Sequence, residues 1–346
     1  MVDSKSCLAT KCSRRINRIS KSISSTELDE FEFVEMHYMD LIEALETGNL
    51  EQLLQVPKSD IHNHAGRGGN IKFISERTGR HILPPPGKYD SLSHMQKWFD
   101  ENIKPICGGK EGQLLRWEAC FAEAKRNNIS RLALSFSRLD VGLVGGMQAF
   151  IEILEKFHQE YCPNTRFEPE LTYGRSSNID AELEYIDELL EADYFYSIDI
   201  CNGEFQQPIQ NFVPIYRKAE EFHLVKKAHI GEFGTANDIV EAVQVLGLQE
   251  VHHGVAAANS KEVMRFLERE KIQLNICPSS NVMLRVAKSY AEHPIQTLVR
   301  NGLLITINTD DLLIFNNSIE QEYQNLYNAG TLTGHELEKI RLQGIK

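Results

Sequence analysis

The chain has 346 residues, 42% of them hydrophobic, with 37 Lys+Arg against 49 Asp+Glu for a net charge of −12. That length holds one large domain or two ordinary ones, and the acidic balance disfavours non-specific binding to nucleic acid. No apolar run is long enough to span a membrane as a helix. Seven scattered cysteines, odd in number and without a Cys-x-x-Cys pair, point to reduced thiols and a cytoplasmic setting.

Residues 1–26 are rich in Ser, Lys and Arg, with Asp3 as their single acid. They lack the apolar core of a secretory signal. Such a composition also fits a transit peptide, but the reading taken is a disordered tail. Residues 27–56 read as a helical extension. Its acidic first part spaces Phe31, Val34, Met36, Tyr38, Leu41, Ile42 and Leu45 to give an apolar face, and Gly48 is placed to end that helix. The extension could pack on the main domain or carry a homo-oligomer contact.

At Asp60 a short strand begins, ending in His62-Asn63-His64 and followed by Gly66, Gly68 and Gly69. In a strand, residues i and i+2 share a face, so both imidazoles can reach one point. Residues 71–124 then form a long, mostly helical insertion carrying Pro84-Pro85-Pro86-Gly87, placed to act as a lid. From there strand and helix alternate. Strands are expected at 129–137, 166–173, 195–200, 224–229, 250–253, 272–277 and 303–308. Helices are expected at 146–159, 179–191, 212–221, 238–247, 260–269 and 293–301. With the first strand, this makes eight β/α units over residues 57–346. The α/β fold expected is a (β/α)8 TIM-type barrel with an N-terminal helical extension and a helical insertion after the first strand.

In such a barrel the C-terminal strand ends share one face, where active sites lie. The conspicuous polar residues fall there: His62 and His64; Asp199, Asn202, Gly203 and Glu204; His229 and Glu232; His252 and His253; Ser279, Ser280 and Asn281; and Asn308, Asp310 and Asp311. His62, His64, His229 and Asp310 offer three nitrogens and an oxygen, a donor set for one Zn²⁺ per chain with a further position for water. Glu232 and His253 are then acid–base candidates, with Asp311 a second carboxylate beside the metal. His252, adjacent to His253 on a strand, should face the other way and be structural.

These motifs resemble the adenosine deaminase family of metal-dependent aminohydrolases. The matching residues are Pro57-Lys58, His62-x-His64, His229-x-Gly231-Glu232, His253-Gly254, Cys277-Pro278-Ser279-Ser280-Asn281 and Asn308-Thr309-Asp310-Asp311, in family order. The resemblance implies zinc on His62, His64, His229 and Asp310. It implies Glu232 as the protonated acid that serves purine N1. It gives His253 the task of orienting the attacking water and assisting its deprotonation. It makes Asp311 an acceptor from that nucleophile or a partner of N7. Water would add at C6 and ammonia would leave. The other deaminase architecture, with Pro-Cys-x-x-Cys, is excluded because the motif is missing.

Three positions depart from the family pattern. The acid that holds ribose, two residues past His64, is Gly66 here, followed by Arg67. The glycine that approaches the purine falls at Asn202, with Gly203 one later. The proline after the paired aspartates is Leu312. The substrate-binding expectation is therefore Gly66, Arg67, Asn202, Gly203 and Asp311, for a small purine-type molecule. Adenosine or a near 6-aminopurine leads. A modified or anionic adenine derivative, or a non-purine cyclic amidine, is the alternative, and a non-catalytic binding relative is the third. Arg67 either turns its guanidinium to an anionic substrate group or points to solvent.

Overall fold

The computed structural model describes residues 41–346. Eight parallel strands run in sequence order around a barrel: β1 (Lys58–Asp60), β2 (Ile129–Phe136), β3 (Arg166–Gly174), β4 (Ser197–Cys201), β5 (Val225–Ile230), β6 (Glu250–His253), β7 (Gln273–Ile276) and β8 (Leu304–Ile307). β2 to β8 lie within two residues of their expected bounds, whereas β1 ends at Asp60, so His62 and His64 lie just beyond the strand, with His64 in an isolated bridge to Ser135. The expectations for residues 1–26 and 27–40 lie outside the described residues.

Residues 41–47 are helical, and Gly48 at φ +66° follows. Leu41, Ala44 and Leu45 are buried, and Gln324 Nε2 donates to the Leu45 carbonyl at 3.2 Å. A second helix, Leu50–Gln55, ends on the buried Lys58, whose Nζ donates to the carbonyls of Leu53 and Val56 at 2.6 and 2.5 Å. Carbonyls at a helix C-terminus lack intrahelical partners, and the Lys58 N–H groups satisfy them, although burial lowers the lysine's pKa to about 7. Lys58 thus ties this helix to the start of β1.

β1 and β8 meet through side chains and a short bridge rather than a full ladder. Ile61 N donates to Asn308 Oδ1 at 2.8 Å. The Asp60 carboxylate accepts from Thr309 N at 3.1 Å, Thr309 Oγ1 at 2.6 Å and Asn63 Nδ2 at 3.0 Å. Above them Asn63 bridges Asp310, and Asp310 N donates to the His62 carbonyl at 2.9 Å. The barrel seam therefore lies directly under the strand ends that carry His62, His64 and Asp310.

The barrel interior holds charge as well as aliphatic packing. Arg131 pairs with Glu168 at 3.0 Å, and Lys227 with Glu170 at 2.9 Å and Glu250 at 3.6 Å, all buried. Glu170 on β3 also meets His252 on β6 at 3.3 Å. Since β3 and β6 are not neighbours, that contact crosses the lumen. Burying these ions is tolerable only because each has an opposite charge beside it.

The insertion folds into helices Ile71–Thr78, Leu92–Asn102, Lys104–Cys107 and Gly109–Arg126. Ile74, Met95, Phe99 and Ile103 make a separate core with Leu313, Ile314 and Phe315 from the turn after β8. Tyr89 fastens the insertion there, its N–H to Met283 O at 2.7 Å and its hydroxyl to Ile314 O at 3.2 Å. The helix expected over 179–191 is two pieces, Ile179–Leu183 and Ile186–Glu191. The break lets Ile186, Leu189 and Leu190 bury while Tyr185 lies under the Arg138 guanidinium. After β8 come helices Leu312–Phe315, Ile319–Asn328 and Gly334–Gly344, for which the sequence pattern gave no expectation.

Candidate active site

The C-terminal strand ends surround a cavity of about 290 Å³. Gly66, Arg67, Asn202, Gly203, Glu232 and Asp311 line it, with His64, His229, His253 and Asp310 at its floor. His62 lies just beneath, fully buried. Every residue singled out as a site candidate is therefore gathered at one end of the barrel. Several stand in the left-handed region: Asp310 at φ +59°, His253 at +62°, Asn202 at +59° and Gly203 at +57°. These turns end the strands abruptly and swing side chains over the barrel axis.

The four expected metal donors converge. His62 Nε2 lies 3.0 Å from His229 Nε2, and His64 Nε2 lies 3.2 Å from it. Asp310 Oδ1 is 3.5 Å from His64 Nε2 and 3.9 Å from His62 Nε2. A tetrahedral site with zinc–nitrogen bonds of about 2.0–2.1 Å has edges of about 3.3–3.4 Å, so the spacing fits such an ion. The hydrogen bonds behind the rings agree. His62 Nδ1 meets the Asn275 carbonyl at 3.0 Å, and His229 Nδ1 meets the Asp199 carboxylate at 3.0 Å. Both Nδ1 atoms donate, and in neutral rings that leaves both Nε2 atoms as lone pairs facing each other. Two lone pairs at hydrogen-bond distance repel unless a cation lies between them. Burial, then the neighbouring imidazoles, hold His62 well below the usual histidine range, so it is the neutral, ligating form.

Asp199 was visible in sequence only as a polar residue at a strand end. Its pairing with His229 is the carboxylate–histidine arrangement that orients metal ligands. Glu204 also gains a place. Its carboxylate accepts from Gly231 N at 2.5 Å, Phe233 N at 2.8 Å and Gly234 N at 3.0 Å, fixing the loop that carries Glu232.

Glu232 faces the site with one oxygen, Oε1, lacking a hydrogen-bond partner. Burial, then the charges of Asp310, Glu204 and Asp311, raise its carboxyl well above the usual range. Burial thus favours its protonated form. Its Oε2 is 3.7 Å from His253 Nε2, which is also 3.7 Å from Asp310 Oδ2. The expectation that His252 and His253 face opposite ways is corrected. At φ +62° His253 leaves the strand pleat, and its ring lies 4.7 Å from that of His62. His252 is also inside, stacked on His62 at 3.9 Å.

Arg67 does not point to solvent. Its Nη1 reaches Asp311 Oδ2 at 3.1 Å, and its Nη2 donates to Gln96 on the insertion helix Leu92–Asn102. It lies over the Phe99 ring at 5.6 Å. Asp311 Oδ1 has no partner.

A family model for adenosine deaminase matches residues 176–346. A Treponema pallidum protein provisionally named adenosine/adenine deaminase is 28% identical over 296 residues, 84% of this chain and 98% of that one. The chain is similar to the adenosine deaminase family across residues 176–346 and to that Treponema pallidum protein over most of its length. It is accordingly a hydrolase acting on carbon–nitrogen bonds. Two solved structures share the barrel of this chain. The adenine deaminase of Arthrobacter aurescens superposes with a TM-score of 0.71 at 21% identity, covering 83% of this chain and 92% of that one. An amidohydrolase of Burkholderia ambifaria with bound Zn gives a TM-score of 0.71 at 19% identity, covering 84% and 85%. The cysteines among the described residues, Cys107, Cys120, Cys162, Cys201 and Cys277, are free and buried. No helix among those residues is long and apolar enough to cross a membrane.

Proposed function

We propose that this deaminase hydrolyses the exocyclic amine of a 6-aminopurine, with one zinc ion per chain. Water adds its oxygen to C6, the C6–N bond breaks, ammonia leaves, and a 6-oxopurine remains. The observation that carries the reading is the convergence of three imidazole nitrogens and Asp310 beside the buried Glu232, whose carboxyl is shifted by burial toward its protonated form. The Burkholderia ambifaria relative in the fold, which holds zinc, supports the choice of metal.

His62, His64, His229 and Asp310 would hold the ion. When bound, it would act as a Lewis acid that brings the pKa of a water down toward about 7. Glu232 donates its proton toward N1, making C6 electron-poor. The ring nitrogen gains the proton as the oxygen adds, so no charged purine is left in the buried site. His253, within reach of Glu232 and Asp310, holds the attacking water on the C6 face. Asp311 presents its unpartnered oxygen to the nucleophile or to the N7 edge. Gly66, Arg67, Asn202 and Gly203 form the wall around the rest of the substrate, and the insertion closes that side with Leu92 and Met95.

The test is ammonia release from adenine, adenosine, 2′-deoxyadenosine, AMP and non-purine cyclic amidines. Turnover of at least one 6-aminopurine is expected. Turnover confined to the non-purine amidines would move the substrate class, and none at all would end the reading.

A further inference from the structure

His253 touches Asn281, and Asn281 touches His293, a buried histidine outside the pocket. The hydrogen bonds along this row have only one consistent direction. Ile295 N, a backbone donor, lies 3.1 Å from His293 Nδ1, so Nδ1 must accept. His293 is 3% exposed, and burial pushes its pKa down to about 3, so the ring is neutral with its proton on Nε2. That Nε2–H meets Asn281 Oδ1 at 3.2 Å. The amide is thereby fixed in one of its two orientations, since the flipped one would set N–H against N–H. Its Nδ2–H then donates to His253 Nδ1 at 3.2 Å. His253 must keep its own proton on Nε2, the atom 3.7 Å from both Glu232 Oε2 and Asp310 Oδ2.

We infer that His293, acting through Asn281, is a positioning residue that locks His253 in the Nε2–H tautomer. The consequence is chemical. Although His253 groups with His62 and His229 as a potential ligand cluster, its Nε2 carries hydrogen where theirs carry lone pairs. It cannot ligate the ion, and in the resting site it offers the attacking water a hydrogen bond rather than a base. It orients the water by donating to the oxygen, and the water's own protons face the carboxylates. This rests on the deaminase reading above for its catalytic meaning, though the tautomer itself does not depend on the substrate.

The experiment is ¹⁵N NMR of histidine-labelled protein, with His253 assigned by loss of its signals in His253→Asn. Wild type should show an unprotonated Nδ1 and a protonated Nε2. In Asn281→Asp the carboxylate accepts from Nδ1, and the proton should move there. A histidine held in the wrong tautomer costs a hydrolase about 10⁴-fold in turnover in the best-studied case, so kcat should fall by roughly 10²-fold or more with KM little changed. His293→Phe should give mixed tautomers at full metal content, and His293→Gln, which keeps an N–H for Asn281, should restore much of the rate. Activity is read as ammonia from adenine, adenosine, 2′-deoxyadenosine or AMP, whichever is fastest. A proton on Nδ1 in wild type, or an unmoved tautomer in both Asn281→Asp and His293→Phe, overturns the inference. Tautomers that move as stated while none of the four compounds releases ammonia leave the relay standing and end the deaminase reading.

Discussion

Arg67 and Asp311 form an ion pair inside the substrate cavity, Nη1 to Oδ2 at 3.1 Å. The pair joins Arg67, beside the departure at Gly66, to Asp311, which belongs to the matching Asn308-Thr309-Asp310-Asp311 motif. Gly66 supplies no carboxylate for ribose, and the neighbouring guanidinium instead spans Asp311 and Gln96. Plain adenosine should be a poor substrate, and an altered or anionic analogue a better one. A charge-assisted hydrogen bond is worth roughly 1.5–3 kcal/mol, about one to two decades in kcat/KM. Arg67→Ala should change the ratios among adenosine, 2′-deoxyadenosine, adenine and AMP by that order. If adenosine leads at ordinary efficiency and the variant leaves every ratio alone, Arg67 sets no specificity.

Metal content follows from the donor set. His64→Ala or His229→Ala should lose most of the bound ion, because an open catalytic site has few ligands to spare. Asp199→Asn keeps the shape behind His229 but not the charge, and should weaken metal affinity by about 10–100-fold. Wild-type occupancy in both histidine variants, measured by elemental analysis, would refute the ligand assignment.

Glu232→Gln should keep fold and metal yet lose roughly 10²–10⁴ in rate, since an amide has the shape but no acidic proton. The wild-type rate should also fall on the alkaline side. Burial raises the Glu232 carboxyl well above its ordinary value, so the proton-donating form persists above the usual carboxylate range and disappears as pH rises through its folded pKa. Near-normal turnover in the variant would remove Glu232 from the acid role.

Glu322 gives a stability test away from the chemistry. It is fully buried beneath the Ser279 amide, which donates to it at 3.1 Å, and burial raises it from 4.5 to about 8. Between those values the unfolded chain releases this proton and the folded chain keeps it. The unfolded state therefore binds fewer protons, and stability from this group falls as pH rises from about 4.5 to about 8. Glu322→Gln should flatten that part of the denaturation-midpoint curve. An unchanged slope between pH 5 and 8, about the window set by the two ionisation ranges, would show that Glu322 does not carry it.

The barrel was legible because strands of three to nine residues alternate with helices at regular spacing, and His62-x-His64 stood out as a histidine pair at a strand end, although both residues lie just past β1. The proposed metal donors, Glu232 and His253 were legible as polar residues placed just where apolar strands stop. Asp199 behind His229, Glu204 under the Glu232 loop and His293 behind Asn281 received no such role. Each acts through a hydrogen bond to a residue far away in sequence, and a linear pattern carries no distance. The buried Lys227 and Glu170 were hidden for another reason. A lysine in a strand ordinarily reads as solvent-facing, and only the partner across the lumen makes its burial tolerable. The inward turn of His253 depends on its left-handed φ, which strand alternation does not foresee.

The central claim is that one ion in the His62, His64, His229 and Asp310 cluster is needed for deamination. The direct measurement is ammonia release by protein stripped with a chelator and titrated back with zinc. Activity on a 6-aminopurine should vanish on stripping and return linearly, with its endpoint at one zinc per chain. Undiminished ammonia release from metal-free protein would contradict the account.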